Sequence, residues 1–127
     1  MRVAEAARTS LSVIDTRHDY AWFEANAELL AQATEARASQ RDPEVVEGIR
    51  CQMLARAEHD TYDRLQEITA PLLVAGGRYD GQAPPANQEA LAARIPGARL
   101  EWFEGGHGFV REDPAALPRF VEFLLEA

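Results

Sequence analysis

The chain has little cysteine: Cys51 is the only one. No intramolecular disulfide can form, and a cysteine-rich zinc site is excluded. Basic charge is also scarce. Against 21 Asp and Glu stand 13 Lys and Arg, for a net charge of −8 and a pI near 4.8. An acidic surface without a basic run points away from DNA, RNA and anionic membranes as partners. The opening MRVAEAARTS lacks a signal-peptide core, and no long apolar run follows. A cytoplasmic location and no membrane span are therefore expected.

What is present suits one globular domain with a modest core: 127 residues, 46% hydrophobic and 27% charged. SLSVID (10–15) is short and apolar and reads as a strand. From Tyr20 the spacing turns helical, with Tyr20, Phe23, Ala27, Leu30 and Ala31 on one face. The polar TEARASQRDP (34–43) reads as a connection or a frayed helix end. Asp42–Pro43 starts another helix as N-cap and first residue, predicted to run to about Arg64. Its expected buried stripe is Val46, Ile49, Met53 and Ala57, with Cys51 on the opposite side.

PLLVAGG (71–77) is an apolar run closed by glycines, as a strand covered on both faces would be. PANQEALAARIPG (85–97) is a helix stopped by Pro96–Gly97, and ARLEWFEGG (98–106) a further strand. EDPAALPRFVEFLLEA closes the chain as a helix, with Asp113–Pro114 at its start and Leu117, Phe120, Val121, Leu124 and Leu125 at helical spacing. Alternating strands and helices with short links imply parallel strands, hence an α/β fold. No internal repeat or low-complexity tract is present.

In an open α/β sheet, sites form beyond the carboxyl ends of the strands. Two chemically suited residues stand there. Asp80 follows LLVAGGRY, and His107 follows LEWFEGG, set among Gly105, Gly106 and Gly108. An aspartate can orient a histidine through one ring nitrogen and leave the other as base. Each also has an ordinary reading, as a turn aspartate or a loop histidine. Asp15, ending another expected strand, is a rival acid.

The stretch from Thr69 to Leu125 resembles the C-terminal part of an α/β-hydrolase, in the lid-bearing serine-hydrolase branch that includes esterases and enol-lactonases. The resemblance rests on an apolar strand, G-x-x-D, a Pro-Pro pair, a helix ending IPGA, a strand, G-G-H and a closing amphipathic helix. TSLSVIDTR is similar to the family's lid-entry strand, and AEHDTYDRLQEI to the helix leading out of the lid. The resemblance implies a partial hydrolase fold with about three parallel strands, a helical lid insertion and two covering helices. It divides the chain into a lid-entry strand (1–18), a lid (19–68) and a core segment (69–127). It makes Asp80 the triad acid and His107 the base, with no cofactor or metal required. The G-x-x-D frame favours Asp80 over Asp15.

One departure is large. The family's nucleophile lies in G-x-S-x-G, on a strand-to-helix turn. The three serines, Ser10, Ser12 and Ser39, lack glycines at minus two and plus two, and Cys51 has no such turn either. The oxyanion-hole loop and the earlier strands of the fold are missing with it. The implied chemistry is hydrolysis of an ester, a lactone or a related acyl or carbon–carbon bond, with the nucleophile coming from elsewhere. Alternatively the chain is an inactive fragment that serves as an assembly module. A sheet edge without its neighbour suggests association, as a homodimer or with an N-terminal companion chain.

The remaining motifs have ordinary readings. His18–Asp19 and His59–Asp60 spell the HD pair of metal phosphohydrolases but lack further converging ligands, so surface or capping roles are expected. GGRYDG lacks the lysine and Ser/Thr of a phosphate loop. Trp22, Phe23, Met53 and Trp102 could line an acyl pocket, with Trp102 expected in the core.

Overall fold

The computed structural model describes residues 3–39 and 42–126. The chain divides into two compact units. One is helical, from residues up to Leu11 and from His18–Tyr62; the other, from Ser12–Arg17 and the chain from Asp63 onward, is α/β.

In the helical unit, the first turns of α1 (Val3–Ile14) are followed by α2 (Tyr20–Ala25), α3 (Ala27–Ser39) and α4 (Pro43–Glu58). Asp19 caps α2 by accepting the Trp22 N–H. Asn26 breaks the run between α2 and α3, and its amide donates to the Trp22 carbonyl. Ala6, Ala7 and Phe23 are buried. The Arg8 guanidinium lies 5.0 Å over the Phe23 ring, and His18 stacks on Trp22 at 3.7 Å.

Three expectations are corrected here. Residues 10–15 do not form a strand: 10–14 belong to α1. Ala6, Ala7, Ser10, Leu11 and Ile14 recur at helical spacing, and alanine-rich VAEAAR favours helix over the two β-branched residues near its end. TEARASQRDP is helical as far as Ser39, while residues 40 and 41 lie outside the described residues. The stripe expected to be buried on α4 is exposed: Val46, Ile49 and Met53 are about half accessible, and no residue of α4 is buried. The helix starts at Asp42–Pro43 as expected, with the Asp42 carboxylate accepting the Glu44 N–H, but ends at Glu58 rather than near Arg64.

In the α/β unit, a 3-10 turn (Tyr62–Glu67) leads to β1 (Leu73–Gly77), α5 (Pro85–Arg94), β2 (Arg99–Phe103), α6 (Phe109–Glu112) and α7 (Ala116–Glu126). β1 and β2 pair in parallel, Leu73 opposite Arg99 and Gly77 opposite Phe103, with α5 as the crossover. Among the described residues the sheet has these two strands, not three. Trp102 is half-buried opposite Gly76; a Cβ there would meet the indole at 2.7 Å. Leu65, Val74, Ile95, Phe103, Ala116 and Phe123 form the core. Phe103 stacks on Phe109 at 5.6 Å and meets Phe120 edge-on at 5.5 Å.

The closing helix α7 begins at Ala116 rather than at Asp113–Pro114, and a separate short helix, α6, precedes it. α6 is one turn, and Asp113 then accepts the Ala115 and Glu104 N–H groups at the start of the next segment. On α7, Phe123 is buried, whereas Leu117, Val121, Leu124 and Leu125 are exposed. Among the described residues no helix is long and apolar enough to cross a membrane.

Candidate functional site

Beyond the carboxyl ends of β1 and β2 the chain turns twice in close register. The Arg78 N–H donates to the Phe103 carbonyl, and the Tyr79 N–H to the Gly105 carbonyl. The two strand exits are thereby tied side by side. A Cβ on Gly77 would come within 2.7 Å of the Gly105 carbonyl oxygen, so only glycine lets the exits approach this closely. Gly105 itself has φ +125°, a conformation that favours glycine.

Asp80 and His107 leave these exits and meet. Asp80 Oδ2 lies 2.9 Å from His107 Nδ1. Asp80 is 3% exposed. Its other oxygen, Oδ1, accepts the Gln82 and Ala83 N–H groups, each at 2.8 Å. Those bonds fix the carboxylate while leaving one oxygen for the imidazole. The His107 backbone N–H donates to the Ile14 carbonyl at 2.7 Å. Its side chain is 46% exposed, and among the described residues none hydrogen-bonds its Nε2. The pair thus combines a buried, held carboxylate with an accessible ring, an arrangement that can present Nε2 as a base.

Asp15, the rival acid, is 2% exposed and bonds the Arg17 guanidinium, with Oδ2 2.6 Å from Nη2. That hydrogen bond raises the Arg17 pKa above its ordinary value, against a lowering by burial, and the charge of Glu112 adds to the rise. Arg17 also lies 4.2 Å over the Tyr79 ring. Asp15 therefore sits near the His107 loop but is engaged by arginine.

The HD pairs serve locally. His18 Nδ1 contacts the Leu11 carbonyl at 3.0 Å, and His59 ends α4. Asp60 accepts the Tyr62 N–H. Among the described residues no three His, Cys, Asp or Glu side chains converge as metal ligands. Cys51 is exposed, with Sγ 3.6 Å from Glu47. Ser10 accepts from Arg37.

Arg17 and Glu112 were not evident from the sequence. The Glu112 carboxylate accepts the Gly106 N–H at 3.0 Å and lies 3.6 Å from Arg17. The available signal is spacing: Glu112 follows Gly108 by four residues, one helical turn past the glycines.

Residues 36–127 match the model of a family described as TAP-like protein. No curated protein matches the chain.

Proposed function

The chain belongs to the TAP-like family of the α/β-hydrolase superfamily, of which it carries the C-terminal portion, and from that premise we propose that Asp80 and His107 are the acid and base of a nucleophile–His–Asp hydrolase. The observation that carries this reading is the 2.9 Å contact between buried Asp80 and half-exposed His107. The substrate is a small ester, lactone or related acyl compound. In this reading the nucleophile comes from outside the 127 residues, on a companion segment or chain.

The chemistry follows from the two ring nitrogens. In the neutral ring a proton on Nδ1, facing Asp80, leaves Nε2 as the basic nitrogen. Nε2 takes the proton of an incoming hydroxyl nucleophile as it attacks the carbonyl. The carboxylate stabilises the imidazolium that forms. The same imidazolium returns the proton to the leaving group, and a second cycle with water releases the acid. In the same reading the segment 19–68 corresponds to the family's lid insertion.

The test is turnover of an activated ester by this chain, alone and mixed with a serine-bearing segment of the family. Turnover is expected only in the mixture. It should fall by roughly 10⁴-fold in His107→Ala, the scale on which a triad member acts. Activity that survives His107→Ala overturns the assignment. A second reading, an inactive assembly module, draws on the lack of any serine flanked by glycines at minus two and plus two. Mixtures that associate but never turn over the ester favour it.

A further inference from the structure

The three glycines around His107 border one side chain, Glu112. A Cβ on Gly105 would lie 2.5 Å from Glu112 Oε2, and one on Gly108 2.6 Å from Oε1. The amide between them, Gly106 N–H, donates to Oε2 at 3.0 Å. Gly106 is buried, with no room on its other side: a Cβ there would meet Asp15 Cβ at 2.7 Å. The Glu112 carboxylate therefore packs against the open faces of Gly105 and Gly108 and accepts the Gly106 N–H, while its side chain stays 41% exposed.

We propose that Glu112 is a positioning residue for His107: its carboxylate, set by α6 and steadied by Arg17, holds the Gly106 amide and so fixes the imidazole against Asp80. Calling the role positional rests on the hydrolase reading above, in which His107 is the base.

Three links carry the effect. Arg17 connects the two acids, 2.6 Å from Asp15 and 3.6 Å from Glu112. Asp15 is buried and follows Ile14, whose carbonyl accepts the His107 N–H. The amides of residues 106 and 107 are thus pinned on two sides, one by a carboxylate and one by the end of α1. The hydrogen bond from the Gly106 amide is part-buried, and without the Glu112 carboxylate the loop loses the tether that holds it in place. A small shift in the loop lengthens the contact between His107 and Asp80.

The experiment reads that contact without requiring turnover. In the full chain, the His107 Nδ1 proton is followed by NMR for its downfield position and exchange with water. Glu112→Ala should speed exchange by roughly tenfold, the scale of one charge-assisted hydrogen bond. Glu112→Gln keeps an acceptor oxygen and should restore near-native exchange. Gly108→Ala should reproduce Glu112→Ala, because its methyl would lie 2.6 Å from Oε1 and pushes the carboxylate off the Gly106 amide, and it decides the matter if Glu112→Ala does not fold. An unchanged Nδ1 signal in the folded Glu112→Ala or Gly108→Ala protein overturns the proposal. So does a glutamine variant that behaves like alanine. Either failure leaves the Asp80–His107 pair, and the hydrolase reading, standing. A failed turnover test would equally leave the Nδ1 result untouched.

Discussion

His107 and Asp80 stand 27 residues apart in the chain and 2.9 Å apart in space, with the carboxylate tied down by two backbone amides and the imidazole half exposed. The carboxylate therefore dictates the ring's orientation. Asp80→Asn should preserve the fold, because the side-chain oxygen can still accept the Gln82 and Ala83 amides. It should abolish the downfield Nδ1 proton, since an amide cannot stabilise the imidazolium as a carboxylate does. Asp80→Ala also strips both amides of their acceptor and should lower stability by about 1–3 kcal/mol in urea unfolding.

Close approach at the strand exits predicts a second outcome. Gly77→Ala places a methyl against the backbone carbonyl of Gly105, which cannot swing aside as a side chain can. Destabilisation of about 1–3 kcal/mol is expected, as in overpacked cores. Thermal unfolding followed by circular dichroism measures it, with Gly48→Ala as control because its Cβ would meet nothing within 4 Å.

Phe103 is 5% exposed and touches both Phe109 and Phe120. Phe103→Ala should cost about 3–5 kcal/mol through lost burial and the cavity left behind. Ile49→Gln on α4 should change stability by less than about 0.5 kcal/mol, as exposed substitutions do. The pair of measurements checks which apolar residues of this chain are core.

Acid sensitivity should trace partly to Asp113. The N–H groups of Ala115 and Glu104 hold its carboxyl below the ordinary aspartate value. A depressed value in the folded state means stabilisation that is present above the unfolded-state pKa and is lost as pH falls through the folded one. The gap in melting temperature between the native chain and Asp113→Ala should be open at neutral pH and close in acid. A gap independent of pH would contradict this.

The α/β unit is largely legible in the sequence. LLVAGG and LEWF announce strands, and the glycines mark where the chain must turn. Asp80 and His107 could be paired because each follows such a strand at a comparable interval. The helical unit was harder. Val13 and Ile14 suggest a strand in a six-residue window, whereas the helical period of α1 emerges only over twelve. The apolar residues of α4 predicted a buried face, but periodicity alone does not say whether another element covers it. Glu112 escaped notice because its one signal, a spacing of four residues from Gly108, is too common to single out an acid. Its meaning comes from the glycines that border it.

The two tryptophans fall one to each unit, Trp22 stacked on His18 and Trp102 laid across Gly76. Nature has supplied each body with its own fluorophore. Replacing one indole with phenylalanine leaves the other as a private reporter. Emission from the two single-tryptophan proteins would then reveal whether the bodies melt together or in sequence.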